Sequence, residues 1–242
     1  MLSVICPIYN EAKYIDVCVQ SILLQDYPKQ QLEVLFVDGM SKDGTRDIVN
    51  NYSKQYPFIR LLNNEKRIVP VAMNIGIKAS IGDIVMRLDA HAQYPPNYFS
   101  VLVKELVRLR ADNVGVACKT DVLNKTSKTL AIREVLSNRF GVGNSTFRLG
   151  VDKVIEVDTV PFGCWKKDVF NKYGFYDERL IRNQDIELNK RIVRGGGHIF
   201  IVPDTYCTYL ARETFDGLAK NNFGNGKWNI LTVYYTKQFK SL

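Results

Sequence analysis

Asp89-Ala90-His91 sets a carboxylate and an imidazole two residues apart, just after the apolar run Ile84-Val85-Met86 and the pair Arg87-Leu88. A short, β-branched-rich run of this kind reads as a buried strand. The two side chains then stand at its carboxyl end, where open α/β sheets bind their ligands. A carboxylate and an imidazole so spaced can address one divalent cation, and a cation there can hold a diphosphate. A plain surface turn running into Tyr94-Pro95-Pro96 accounts for the same residues without chemistry. Two further acids follow earlier apolar runs: Glu11 comes after Leu2–Pro7, and Asp38 ends the run from Leu32 to Val37. In a parallel sheet these ends lie along one edge, so the three carboxylates converge on one crevice. Taken singly, each is equally well read as a cap on the next helix.

Convergence requires strands and helices to alternate, and the chain predicts that they do. Strands are expected at 2–7, 32–37, 58–62, 84–88 and 114–118. Between them, Ile15, Val19 and Ile22 give helical spacing within 11–25; further helices are expected at 43–56, with Asp43 as N-cap, at 70–80, with Pro70 in the first turn, and at 96–110. This alternation predicts an α/β fold with a mainly parallel, doubly wound sheet flanked by helices. The second half is less regular: loops and short helices over 121–150, strands at 155–160 and 199–202, and a helix over 185–194 that the glycines at 195–197 end. His198, at the edge of the last strand, reads as a structural histidine rather than a ligand. No repeat or linker interrupts the sequence, so residues 1–242 are expected to form a single domain.

Composition narrows the function. With 46% apolar residues the chain can build a full core. The net charge of +8 is spread among acidic residues without a Lys/Arg block, which argues against a nucleic-acid footprint. No apolar run reaches the roughly 18–20 residues of a membrane span. Five scattered cysteines without a CxxC pair predict reduced thiols in a cytoplasmic setting, with Cys6 in the core. Neither GxGxxG nor GxxxxGK[ST] is present, so a bound diphosphate would be neutralised by a metal and basic side chains, Arg67 and Arg87 being candidates.

Pro7-Ile8-Tyr9-Asn10-Glu11, Val37-Asp38-Gly39-Met40-Ser41-Lys42-Asp43-Gly44-Thr45, Ala72-Met73-Asn74-Ile75-Gly76 and Gly82-Asp83-Ile84 leading to Asp89-Ala90-His91 together resemble the family 2 glycosyltransferases. Phe140-Gly141-Val142-Gly143-Asn144, Pro161-Phe162-Gly163-Cys164-Trp165 and Arg182-Asn183-Gln184-Asp185-Ile186-Glu187-Leu188 resemble the subgroup typified by the succinoglycan-biosynthesis glucosyltransferase ExoA. The resemblance implies the GT-A fold, with residues 1–118 as the nucleotide-sugar half and 119–242 as the acceptor half. It implies that Pro7, Tyr9 and Glu11 line the nucleotide pocket and that Asp38 accepts a hydrogen bond from uracil. Arg67 and Asn74 would contact the nucleotide-sugar, Asp89 and His91 would occupy the DxD position, and Asp185 would be the catalytic aspartate. The family's second DxD carboxylate is here His91, which suits manganese better than magnesium if it ligates; contact with phosphate is the other reading of this imidazole. Gln184-Asp185 replaces the common Glu-Asp, with Glu187 as the fallback base and a helix cap as the other reading of Asp185. Gly224-Asn225-Gly226-Lys227-Trp228 lacks the Gln and Arg of the processive QxxRW motif, which favours single-sugar transfer.

The implied activity is inverting, metal-dependent (Mn or Mg) transfer of one hexose from a UDP-sugar to a hydroxyl of a lipid-linked saccharide in exopolysaccharide biosynthesis. The alternatives are a polyprenyl-phosphate sugar transferase and a non-catalytic sugar-nucleotide-binding subunit. The segment 211–242 mixes Lys220, Lys227, Lys237 and Lys240 with Phe215, Phe223, Trp228, Tyr234, Tyr235 and Phe239. It reads either as a surface for peripheral contact at the inner face of the cell membrane or as a solvated helix packed on the core. Relatives of the subgroup continue into hydrophobic segments, so a chain cut before such segments is a further expectation.

Overall fold

A computed structural model describes residues 1–138, 140, 146–211 and 213–237. Strand–helix alternation runs from β1 (Leu2–Ile8) through α1 (Ile15–Leu23), β2 (Leu32–Asp38), α2 (Thr45–Gln55), β3 (Ile59–Asn63) and α3 (Val69–Ala79) to β4 (Ile84–Arg87). The short β5 (Ala92–Gln93), α4 (Tyr98–Arg108) and β6 (Asn113–Asp121) follow. The second half comprises α5 (Ser127–Ser137), α6 (Thr146–Leu149), β7 (Ile155–Glu156), β8 (Cys164–Lys166), α7 (Asp168–Tyr173), α8 (Gln184–Arg194), β9 (Ile199–Leu210) and α9 (Phe215–Thr236).

Among the described residues these strands form one sheet in the order β3-β2-β1-β4-β8-β6-β9-β5, with β7 paired to β9 off that path. β1 lies parallel between β2 and β4, and β3 extends this block. β8 runs antiparallel to both β4 and β6, and so joins the parallel block to the β6–β9 pair. The sheet is thus GT-A-like and mixed. β2 is buried along its whole length, as a strand covered on both faces must be. On one face Val4, Cys6, Val34 and Phe36 pack against Cys18 and Val19 of α1 and Phe99 and Leu102 of α4. On the other, Ile5, Leu35 and Val85 meet Met73 and Ile77 of α3, Phe170 of α7 and Leu188 of α8.

Three details depart from expectation. The strand expected over 155–160 pairs only at Ile155–Glu156. β8 was not anticipated, because three residues are too few to show a period. Gly44, not Asp43, is the residue that caps α2, although Asp43 Oδ1 accepts the Thr45 N–H at 3.1 Å from one position upstream. His198, expected to be structural, is exposed and places Nδ1 2.7 Å from Glu156 Oε1, in keeping with that reading. The cysteines behave as expected: all five are free and buried. The motif residues 141–144, with Phe239 and Lys240, lie outside the described residues.

α9 differs from every other long helix. None of its residues is buried, and polar bonds join it to the chain. Arg182 Nη1 donates to Asn221 Oδ1 at 2.9 Å and Asn225 Oδ1 at 2.8 Å, and Asn183 Nδ2 donates to Asn229 Oδ1 at 3.0 Å.

α3 approaches β1 so closely that a Cβ on Gly76 would lie 2.5 Å from Ile5 Cγ2. Gly76→Ala should therefore overpack the core and lower stability by about 1–3 kcal/mol, measured as a reduced urea midpoint with the m-value unchanged.

Candidate active site

The carboxyl ends of β1, β2 and β4, with the β3–α3 turn, enclose an open cleft of about 490 Å³. The chain passes from β1 to β2 and β3 on one side and returns to β4 on the other, which makes this the switch point of the sheet. Pro7, Tyr9 and Glu11 line the cleft from β1, Gly39 from β2, Asn64 and Arg67 from the turn, and Arg87, Asp89 and His91 from β4. The pocket residues expected from the sequence therefore meet, with two exceptions.

A latch between two loops shapes the wall of the cleft. Asn10 N–H donates to Ser41 Oγ at 2.8 Å, Glu11 N–H to Thr45 Oγ1 at 2.8 Å and Ala12 N–H to Asp43 Oδ2 at 3.0 Å. Lys42 N–H returns a bond to Asn10 Oδ1 at 3.0 Å. Tyr9 lies over Gly39, where a Cβ would meet its ring at 3.0 Å. Two sequence motifs thus act as one unit, each satisfying backbone donors that the other leaves open.

Asp38 is the first exception. It is 0% exposed and does not line the cleft. Its carboxylate accepts Ser41 N–H at 3.0 Å, Ser41 O–H at 2.5 Å and Arg46 Nη1 at 2.5 Å. In this structure its bonds organise the latch, and the expected uracil contact is carried on as a proposal. Asn64 was missed by sequence reasoning. It lines the cleft, is buried, donates from Nδ2 to Ile68 O at 3.0 Å, and leaves Oδ1 without a hydrogen-bond partner. A lone Asn in a turn carries no signal that would have singled it out.

Asn74 is the second exception. It is buried and bonds away from the cleft: Nδ2 donates to Tyr176 O at 2.9 Å and Glu178 Oε1 at 3.1 Å, and Oδ1 accepts Tyr176 N–H at 3.0 Å. Its amide fixes the segment that carries Tyr176, a positioning arrangement beside the expected nucleotide-sugar contact.

Asp89 is held from two sides. Tyr94 Oη accepts its N–H at 2.8 Å, and Arg87 Nε and Nη2 donate to its Oδ1 at 3.2 and 3.1 Å. His91 Nδ1 stands 3.5 Å from Glu11 Oε1, and its ring meets Tyr209 edge-on at 5.2 Å. Among the described residues no group of three or more His, Cys, Asp or Glu side chains is arranged to hold a metal. Asp89 and His91 fit a cation only as a two-ligand set completed by substrate oxygens.

Asp185 sits in the first turn of α8, half-buried, with Oδ1 accepting the Ile186 N–H at 2.9 Å. It is not the helix cap, which is Asn183, and it does not line the cleft. Its charge nevertheless reaches Arg87 and Tyr176. Burial alone would lower the Arg87 guanidinium, but Asp89, Tyr176 and Asp185 outweigh it and hold Arg87 above its ordinary value. Burial pushes the Tyr176 phenol up and keeps it protonated. Glu187, the fallback base, is taken by Arg191, with Oε1 accepting Nε at 2.7 Å.

If Asp38 is structural, Asp38→Ala should destabilise the fold by on the order of 2 kcal/mol through its lost charge-assisted bonds, seen as a lower thermal midpoint in ligand-free protein. Unchanged stability with lost nucleotide binding would instead return Asp38 to the base.

A family model described as "Glycosyl transferase family 2" matches residues 3–174. A Methanococcus voltae protein named dolichyl N-acetyl-alpha-D-glucosaminyl phosphate 3-beta-D-2,3-diacetamido-2,3-dideoxy-beta-D-glucuronosyltransferase is 28% identical over 230 residues, covering 93% of this chain and 71% of that one. Succinoglycan biosynthesis protein ExoA of Rhizobium meliloti (strain 1021) is 29% identical over 236 residues, covering 93% of this chain and 67% of its own. The solved structure of S. aureus TarS 1-349 in complex with UDP-GlcNAc superposes with a TM-score of 0.68 at 19% identity, covering 88% of this chain. This chain spans 59% of that TarS chain. With its sheet, its cleft and a match over most of its length, the chain belongs to glycosyl transferase family 2 and is a glycosyltransferase.

Proposed function

We propose that this glycosyltransferase moves one hexose from a UDP-sugar to an acceptor hydroxyl with inversion, in polysaccharide or glycan synthesis. The observation that carries the reading is the juxtaposition at the switch point. Asp89 lines the cleft and pairs with the Arg87 guanidinium at 3.1 Å, and Asp185 stands in the first turn of α8, where its charge helps hold Arg87 above its ordinary value. Residues 1–118 serve the nucleotide-sugar and 119–242 the acceptor. ExoA by name acts in succinoglycan biosynthesis, and the M. voltae relative by name acts on a dolichyl-linked phosphate sugar, which supports a lipid-linked saccharide as acceptor. The TarS complex with UDP-GlcNAc supports a uridine donor.

In the proposed mechanism Asp185 takes the acceptor proton as the hydroxyl attacks the anomeric carbon. A carboxylate suffices, because the hydroxyl becomes acidic only as the new bond forms, and positioning supplies much of the rate. Arg67, exposed at the mouth of the cleft, meets the diphosphate. A divalent cation held by Asp89 and His91, manganese better than magnesium, would supply charge stabilisation for the departing UDP.

Contact with the cytoplasmic face of a membrane completes the reading. Lys220, Phe223, Lys227, Ile230, Tyr234 and Lys237 are all exposed and recur at helical spacing along one side of α9. Alternating basic and apolar residues on one helix face suit an anionic lipid surface. Among the described residues no helix is long and apolar enough to cross a membrane. The double substitution F223S/I230S should reduce sedimentation with anionic vesicles while leaving donor hydrolysis intact; equal sedimentation would remove α9 from this role.

A donor screen with UDP-glucose, UDP-galactose, UDP-N-acetylglucosamine and GDP-mannose, with and without manganese, tests the donor and metal assignments. Asp185→Asn should bind the UDP-sugar normally and lose about 10²–10⁴-fold in transfer. Release only from GDP-mannose overturns the uridine assignment. Transfer that survives Asp185→Asn favours a polyprenyl-phosphate acceptor, which needs no strong base.

A further inference from the structure

Arg148 is a charge that the fold places but does not balance. It lies on α6, half-buried, and donates from Nη1 to Thr120 Oγ1 at 3.1 Å. Its guanidinium packs on two rings, 5.6 Å from the centre of Phe147 and 5.8 Å from that of Tyr209. Arg46, Arg87, Arg133 and Arg191 each stand on a carboxylate; among the described residues no carboxylate forms an ion pair with Arg148. Two rings and one neutral hydroxyl thus fix the side chain, at a cost in rotamer entropy, and leave its charge for an anion.

The place is beside the donor cleft. Thr120, Tyr209 and Ala92 are register partners on β6, β9 and β5. His91, one residue before Ala92, lines the cleft and meets the Tyr209 ring edge-on at 5.2 Å. Arg148 and His91 therefore share one ring. The Cys118 thiol on β6 senses the same surroundings: its bond to Cys207 holds it below its ordinary value against burial, helped by the charges of Arg148 and His91.

We propose that Arg148 binds the phosphate group of a lipid-linked acceptor. The inference rests on the reading above of the acceptor as a lipid-linked saccharide. Position favours the acceptor over the donor's own diphosphate. Arg148 does not line the donor cleft, as Arg67 and Asp89 do, and it sits on α6 in the half proposed for the acceptor. Chemistry favours a phosphate. A guanidinium stays charged at any working pH and presents a fork of N–H donors that matches phosphate oxygens. A phosphodiester between sugar and lipid carries one negative charge, whereas a neutral saccharide would need no cation here.

Calorimetric titration of the UDP-loaded full chain tests this. It compares octyl phosphodiesters of glucose, galactose and N-acetylglucosamine with the octyl glycosides of the same sugars, which lack the phosphate. The parent should bind at least one diester about 10-fold more tightly than its matching glycoside, the scale of a charged hydrogen bond. Arg148→Gln should lose that preference, with its affinities for the glycoside and for UDP within about twofold of the parent's. Arg148→Lys, which keeps the charge without the fork, should retain part of it. The diester-to-glycoside ratio is read on one folded protein, so stability lost with the ring contacts does not move it. A preference that survives Arg148→Gln, or a parent that shows none, overturns the inference. A fall in UDP affinity equal to the fall on the diester assigns Arg148 to the donor diphosphate and also overturns it. Binding of UDP without binding of any diester or glycoside overturns the lipid-linked acceptor reading, and the inference with it.

Discussion

The site depends on how the carboxyl edge of the parallel strands is closed. Each strand delivers a loop whose backbone donors lack ladder partners, and such groups must be satisfied if the loop is to hold a shape. Here the loop after β1 and the loop after β2 satisfy each other through Ser41, Asp43, Thr45 and Asn10. Asp38 stands behind the second loop and gathers Ser41 and Arg46, and Arg46 reaches on to Asn63 at the end of β3. Three adjacent strand ends are therefore tied by side chains, and Pro7, Tyr9 and Glu11 take their places as a consequence. A motif that looks like a ligand-binding signature is first of all a solution to a hydrogen-bonding problem.

The same economy governs the floor. Arg87 is a buried cation in a strand, and a buried charge is tolerated only when it is paired. Asp89 supplies the pair two residues later, where the strand has ended and the backbone is free to turn the carboxylate back. Tyr94 then fixes the Asp89 backbone through its buried hydroxyl. The Tyr94-Pro95-Pro96 turn is thus part of the site's support. Asp89 is placed here by the guanidinium beneath it and the phenol beside it.

Legibility in the sequence follows from how local the determinants are. The first five long strands, their helices and the order of acids along one edge were readable, because periodicity and proximity to strand ends are local. Glu11, Asp89 and His91 were placed at strand ends for that reason and line the cleft, whereas Arg67 was singled out as a basic residue and by the family resemblance. The bonds that Asp38 makes to Ser41 and Arg46 and Asn74 makes to Tyr176 were not readable, because sequence position gives the strand end and not the direction of a side chain. β8 and the link between Asn74 and Tyr176 join residues about a hundred positions apart or elements of three residues, and no local pattern carries either. Asn64 was silent because its only distinction is an unbonded oxygen in a folded cleft.

The two halves of the site also differ in how firmly they are built, and this bears on how the base meets the acceptor. The donor wall rests on strands buried on both faces. Asp185 rides at the start of α8, whose preceding residues, Arg182 and Asn183, are clipped to α9 by side-chain hydrogen bonds. Asn183 adopts a left-handed φ of 61° to make that junction. Such backbone strain persists only when the surroundings enforce it, and among the described residues α9 buries none of its own side chains in the core. The junction is therefore held by side-chain hydrogen bonds and half-buried apolar contacts rather than by a buried core, and such regions open at low free-energy cost. Anything that seats α9 against a surface also steadies the turn that carries Asp185. In the mechanism proposed above, α9 and the placing of Asp185 are linked through one short stretch of chain, while the cleft stands on its own core.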